Sequence, residues 1–310
     1  MKARAGKHTS LPRDISSFTG MDLTRNFVKA KNPCTSGFRW FLRHYKEGSD
    51  YQPLLDALVA AGRVNDACWL LEQFGPTDAV LSLDSLCAQA IVFAGTLEVR
   101  GHIEVEGMLH VGRTLRAGGG IRAARSIIAG EDIVAGGAIR CGDKLETGGH
   151  LRCGSALFIE GSIECRGDLR ASSALHCGGD LSVLGAVTVG EELENAGLLR
   201  CQRGLRIGGD LRSTGRIEVG QGIECAGSIS CDDHLEAQWG IRSQESIRAG
   251  ASIKVGESLQ AEREISSGEG YGIYAGLRVR VDDWETSAQV IAIAKPERLM
   301  SGRWMEKLSA

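Results

Sequence analysis

The sequence predicts a mainly β protein. It is a triangular parallel β-helix built on a six-residue repeat and an 18-residue coil, about ten coils long, with a small N-terminal α-helical domain and a C-terminal cap. Three observations predict it. Aliphatic residues recur every six positions from Ile91 to Ile265, thirty times without insertion or deletion. Glycine makes up 42 of 310 residues, about twice the usual share, against 5 prolines. Aromatic residues are only 5 % of the chain and concentrate around residues 38–74. This composition excludes collagen-like and proline-rich disordered chains. The net charge of −3 gives no global bias toward nucleic acid or anionic lipid.

Residues 1–32 read as a basic, flexible arm. Residues 1–46 hold Lys2, Arg4, Lys7, Arg13, Arg25, Lys29, Lys31, Arg39, Arg43 and Lys46 against Asp14 and Asp22, a local net charge of +8. Such an arm is a solvated tail or touches an acidic surface. Met21 is an alternative start. The first twenty residues carry no apolar h-region, and no stretch approaches the ~18 apolar residues of a membrane span. The expected setting is the cytoplasm.

Residues 33–78 read as a three-helix module. Ser36 is the expected cap of a first helix bearing Phe38, Phe41, Leu42 and Tyr45, ended by Gly48. Asp50 caps a second with Leu54, Leu55, Leu58 and Val59 on one face, ended by Gly62. Asn65 caps a third carrying Ala67, Trp69, Leu70, Leu71 and Phe74, closed by Gly75-Pro76.

Residues 79–276 read as the β-helix. Each unit is aliphatic, polar, then small, followed by a glycine-rich corner, so residues i and i+2 face one way. In Leu205-Arg-Ile-Gly-Gly-Asp210 the corner is expected to need φ > 0. A period of six does not fit a helix of 3.6 residues per turn, and glycine at this density breaks helices. Stacked parallel strands solve the pattern. With three sides to a coil, residues 97–276 make ten coils, roughly 45–50 Å long at ~4.8 Å per rung. Residues 277–310, with Leu277, Val279, Val281, Trp284, Val290, Ile293 and Trp304, read as a strand-and-loop cap. Gly268-Glu-Gly270-Tyr-Gly272 reads as a bend into that cap rather than a nucleotide loop.

The run Leu97-Glu-Val99-Arg-Gly101-His-Ile103-Glu-Val105-Glu-Gly107 resembles the bactofilin repeat, a right-handed triangular β-helix of bacterial polymer-forming proteins. It is less similar to the left-handed hexapeptide acyltransferases, whose small residue sits two positions before the aliphatic one. The segment Cys34-x-x-Gly37-Phe38-x-Trp40-Phe41, with Tyr51, Leu55, Ala61-Gly62-Arg63 and Ala67-x-Trp69-Leu70-Leu71, resembles a module that precedes glycine-rich repeats in bacterial proteins. Some of those proteins belong to toxin–immunity neighbourhoods, which implies a toxin as partner.

Seven of the ten cysteines, Cys141, Cys153, Cys165, Cys177, Cys201, Cys225 and Cys231, occupy the small slot. They read as buried small hydrophobes in a reducing compartment. There is no CxxC, so no zinc ribbon or thioredoxin-like motif is expected. On an 18-residue coil one side presents Arg116, Arg152, Arg170, Arg206 and Arg242. A second presents Arg122, Arg140, Arg212 and Arg248, and a third is acidic with Glu146, Glu164, Glu218 and Glu236. These arginines, with Phe158 and Trp239 as contact anchors, are the candidate partner-binding residues. Solvated faces are the plainer reading of the same pattern.

His110, His150, His176 and His234 fall at different phases, and no nucleophile elbow, HExxH or P-loop is present. No catalytic residue, metal or cofactor is expected. The expected function is a capped, non-catalytic rod that docks a partner protein on its flat faces, of the immunity type, neutralising a bacterial toxin. Nucleic acid is not an expected partner, and a monomer or small oligomer is expected. The alternatives are a bactofilin-like polymer-forming scaffold and a hexapeptide-type acyltransferase.

Overall fold

The computed structural model describes residues 22–45 and 48–306; the arm over residues 1–21 lies outside the described residues. Three parallel sheets form the walls of the rod. Wall A has 13 strands, from Val80–Leu83 to Arg303–Glu306. Wall B has 11, from Leu86–Ala88 to Ile265–Ser266, and wall C has 12, from Ile91–Phe93 to Leu299–Ser301. Every rung from Ile91↔Leu109 to Ile247↔Ile265 pairs residue i with residue i+18, which is the coil length expected from three six-residue sides.

The rod has about 13 turns rather than ten, about 58 Å at ~4.8 Å per rung. The extra turns lie where the six-residue count slips. At the start Val80 pairs with Thr96 and Leu86 with Ile103, so the first coils are shorter than the regular one. At the end Ile253 pairs with Ile273 and Leu259 with Val290, across longer insertions. Gly270, at φ +81°, turns the first of these insertions, the bend expected there. The expected cap therefore also adds rungs: Gln289–Ala292, Leu299–Ser301 and Arg303–Glu306 continue the ladders, around a short helix at Trp284–Ser287.

The aliphatic columns fill the interior; Leu109, Ile127, Leu145, Ile163, Leu181 and Leu199 on wall C are each 0 % exposed. The small slot is more than a place for small hydrophobes. Each cysteine there except Cys231 hydrogen-bonds the middle carbonyl of the corner one coil below. Cys153 reaches Gly137 O at 3.2 Å, Cys177 reaches Gly161 O at 3.3 Å, and Cys225 reaches Gly209 O at 3.0 Å. Cys231 turns instead to Asp233 O in its own corner, at 3.3 Å. Thr147, Ser213 and Ser243 donate to the equivalent Glu131, Gly197 and Gly227 carbonyls. Most occupants of the slot are Val, Ala or Ile, but where Cys, Ser or Thr stands there its donor gives the corner carbonyl a partner from inside the rod. Burial pushes the thiols up, to about 11 for Cys165 and Cys225 and about 12 for Cys231, and all ten cysteines are free. An alkylating reagent is expected to modify the exposed Cys34 and Cys87 quickly in the native protein and all ten only in denaturant, counted by mass.

The corner glycines depart from expectation. Positive φ occurs at Gly48, Gly62, Gly75, Gly270, Gly276 and Gly302, not at Gly208 or its equivalents in the regular coils. Their constraint is close approach. A Cβ on Gly208 would lie 2.0 Å from Gly190 O, and one on Gly136 would lie 2.2 Å from Gly118 O. Consecutive coils touch backbone to backbone at these corners.

A second corner device uses acidic and imidazole side chains. At several corners the N–H just before a strand is accepted by the side chain one coil below. Asp132 Oδ1 accepts from His150 N at 2.7 Å, His150 Nδ1 from Asp168 N at 3.0 Å, and Asp168 Oδ1 from Ala186 N at 2.9 Å. Asp180, Asp210, His102 and His234 do the same at other corners.

The helical module has four helices, not three: α1 Arg25–Ala30, α2 Thr35–His44, α3 Tyr51–Ala60 and α4 Val64–Phe74. Part of the expected arm is thus folded. Thr24 caps α1, and Asp22–Leu23 pairs antiparallel with Ser49–Asp50. Short and rich in charge, α1 has no apolar face that the sequence makes readable. The cap of α2 is Cys34, whose Sγ accepts from Gly37 N at 3.2 Å, rather than Ser36. The N-cap of α4 is Arg63 rather than Asn65, because Gly62 at φ +71° reverses the chain just before it.

The module packs on the first strand of wall C. Val92, an outward residue, is buried with Leu54, Leu58 and Leu71. Gln52 on α3 reaches the open edge of that strand: Nε2 donates to Val92 O at 3.0 Å and Oε1 accepts from Ala94 N at 2.9 Å. Its carboxamide thus acts as a peptide group from one more rung would. Nε2 also donates to Asp56 Oδ1 at 2.8 Å. Burial pushes the Asp56 carboxyl up to about 6. The folded state therefore takes up a proton between about pH 4 and 6, and stability rises as pH falls through that window. Asp56→Asn is expected to stabilise by about 2 kcal/mol at pH 7 and by nothing below about pH 4, measured by urea unfolding at both pH values.

Candidate docking surface

The middle residue of each strand points outward, and the register stacks these residues one rung apart. Wall A reads Glu98, Arg116, Val134, Arg152, Arg170, Thr188, Arg206, Glu224, Arg242 and Gln260. Wall B reads Glu104, Arg122, Arg140, Phe158, His176, Glu194, Arg212, Ser230 and Arg248. Wall C carries Glu146, Glu164, Glu218 and Glu236, interleaved with Arg200 and Lys254.

The structure divides the candidate arginines into two groups. Arg206 is 2.8 Å from Glu224, Arg212 3.5 Å from Glu194, Arg248 3.6 Å from Glu264 and Arg122 4.0 Å from Glu104. These side chains are partly neutralised by an acid close by on the rod. Arg116, Arg152, Arg170, Arg140 and Arg242 are exposed and have no salt-bridge partner among the described residues. Arg152 and Arg170 face each other directly across one rung. Like charges placed so cost free energy unless an anion lies over them.

The third wall is less acidic than expected. Lys144 bridges Glu146 at 2.9 Å and Glu164 at 3.0 Å, Arg200 reaches Glu218 at 2.8 Å, and Lys254 reaches Glu236 at 3.2 Å. The Arg200 hydrogen bond holds the Glu218 carboxyl below its ordinary value. His110 on this wall is buried, and burial holds its pKa down. Phe158 lies on wall B with the Arg140 guanidinium 5.4 Å from its ring centre. Trp239 is 52 % exposed at the corner between walls C and A, not on a flat face.

One corner brings together a hydroxyl, an imidazole and a carboxylate. His234 Nδ1 lies 2.7 Å from Ser252 Oγ, and Nε2 lies 3.6 Å from Asp233 Oδ1. The same Nδ1 accepts the Ser252 N–H at 3.3 Å, the corner bond that His102 and His150 also make. Ser252 is buried, so its hydroxyl is closed to a substrate. No group of three or more His, Cys, Asp or Glu with metal-binding spacing occurs among the described residues.

Three devices escaped the reading of the sequence: the donor role of the small slot, the corner acceptors and the Gln52 clasp. The first had a signal, since Thr147, Ser213 and Ser243 share the slot with the cysteines. The Gln52 clasp joins α3 to a strand far along the chain and left none.

No described helix is long and apolar enough to cross a membrane. No curated protein and no solved structure matches the chain. Residues 21–75, the helical module, match the family model described as the YdhT N-terminal domain.

Proposed function

We propose that the chain is a non-catalytic β-helix rod that docks an acidic partner protein through the arginines of walls A and B. One observation carries this reading: Arg116, Arg152, Arg170 and Arg140 stand exposed without a carboxylate partner, while Arg200, Arg206 and Arg212 each have one nearby. Flat walls of stacked strands suit a docking surface, and unpaired arginines suit carboxylates on its partner. The resemblance of the helical module suggests the partner's class, a bacterial toxin that this chain neutralises.

The test is co-expression with any toxin gene found beside this one. Protection is expected with the wild-type chain and is expected to be lost with Arg152→Glu/Arg170→Glu. Absence of both binding and protection would remove the toxin. Protection unchanged by reversing arginines on either wall would remove the docking surface.

A bactofilin-like polymer-forming scaffold is the second reading. It is favoured by the far end of the rod, where Leu299–Ser301 and Arg303–Glu306 end walls C and A with no further strand partner among the described residues. Met300 and Met305 are exposed there.

A further inference from the structure

The edge between walls A and B carries a bare stretch. Over four consecutive coils its corner residues are Gly118-Gly119-Gly120, Gly136-Gly137-Ala138, Gly154-Ser155-Ala156 and Ser172-Ser173-Ala174. No charged or bulky side chain stands on this stretch for about 19 Å, at ~4.8 Å per rung. Arg116, Arg152 and Arg170 flank it on wall A, and Arg140 flanks it on wall B. Carboxylates close wall B at both ends of the strip, Glu104 beside Arg122 at 4.0 Å and Glu194 beside His176 at 3.5 Å.

A second, independent observation lies in the backbone. At several other corners the N–H before a strand is taken by a carboxylate or imidazole from the coil below, while at most, Glu192 and Asp210 of this same edge among them, it has no protein partner among the described residues. Asp132 does so at 2.7 Å, Asp168 at 2.9 Å and, further along this same edge, Asp210 at 2.8 Å. Along the bare stretch the coil below offers only Gly120, Ala138 and Ala156 at that position. The N–H groups of Ala138, Ala156 and Ala174 make no hydrogen bond to protein among the described residues. The rod itself thus demonstrates that a carboxylate oxygen fits this kind of N–H, and here three in a column have none.

We propose that this edge binds an acidic segment of a partner protein, about six residues long, lying extended along the rod axis. The inference rests on the docking reading above and names the part of the surface and the form of the ligand. An extended segment turns successive side chains to opposite sides, with ~6.7 Å between residues on one side. Laid along a bare edge, it sends alternate carboxylates to the arginines of wall A and of wall B. The side-chain-free corner lets its backbone approach closely, and about six residues at ~3.3 Å each match the strip. A nucleic acid strand fits less well. The chain carries a net −3, the strip is closed by Glu104 and Glu194, and its one aromatic, Phe158, already lies against Arg140.

The test is fluorescence anisotropy of fluorescein-labelled hexaglutamate with the full chain at low salt, beside a labelled oligothymidylate. Hexaglutamate is expected to bind more tightly than the oligothymidylate. Arg152→Glu/Arg170→Glu and, separately, Ala156→Asp are each expected to weaken it at least tenfold; Arg248→Glu is expected to change it less than twofold. Ala156→Asp gives the Ala174 N–H the acceptor that Asp168 gives Ala186, so its thermal midpoint is expected at or above wild type. Hexaglutamate binding that ignores Ala156→Asp and the arginine pair, tighter oligothymidylate binding, or no peptide binding would overturn the inference. If partner protection survives these variants but is lost with Arg206→Glu/Arg242→Glu, the docking reading stands and this inference falls. If no reversal affects it, both fall.

Discussion

Leu193→Ala is expected to destabilise the rod by about 3 kcal/mol. Leu193 is 0 % exposed and stacks between Leu175 and Leu211 in its column on wall B. Truncation removes three carbons from an interior closed on all sides by backbone. Consecutive coils already touch at corners such as Gly190–Gly208, so the walls have little room to move inward. The cavity therefore stays open, and the loss combines transfer and cavity terms. Guanidinium unfolding followed by circular dichroism measures it. Leu184→Ala, at a corner where the side chain is 43 % exposed, is the control and is expected to stay within about 0.5 kcal/mol. Equal effects at the two positions would mean the columns are not the core. Because each coil contacts only its neighbours, unfolding in the Leu193 variant is expected to spread from the middle of the rod.

Gln52→Ala is the second large effect, also about 3 kcal/mol. It removes the side-chain partners of Val92 O and Ala94 N, at residues 2 % and 1 % exposed. Water cannot readily replace them, because α3 and α4 cover the site. Leaving two buried backbone groups unpaired costs about 1–3 kcal/mol each. Gln52→Glu keeps an acceptor for Ala94 N but loses the donor to Val92 O and sets a second carboxyl beside Asp56, so it is expected to be no better. The readout is limited proteolysis between residues 75 and 95 together with the unfolding midpoint. An unchanged midpoint and cleavage pattern for Gln52→Ala would mean that apolar packing alone joins module and rod.

What the sequence discloses follows the physics of the repeat. The coil register is legible because each inward position sees the same neighbours in every coil, so Leu145, Ile163 and Leu181 meet one requirement. The sorting of outward residues onto three walls follows from that register alone. Legibility fails where the repeat stops repeating. Val80 reaches Thr96 over a shortened coil and Leu259 reaches Val290 over a long insertion, and a fixed period passes over both. It fails also where one side chain answers a backbone group in another coil. The Cys177 thiol and the Asp168 carboxylate read as a hydrophobe and a surface charge until their carbonyl and N–H partners are placed. The register places Glu224 one rung from both Arg206 and Arg242 but does not say which of them it bridges, and the structure gives it to Arg206.

The claim that this rod acts by presenting its walls to a partner, rather than by joining its ends, is tested most directly by light scattering coupled to size exclusion over a hundredfold concentration range. A constant mass near 33.1 kDa or a small fixed multiple of it is expected. Mass that grows with concentration into long assemblies would contradict that claim and give the scaffold reading the lead.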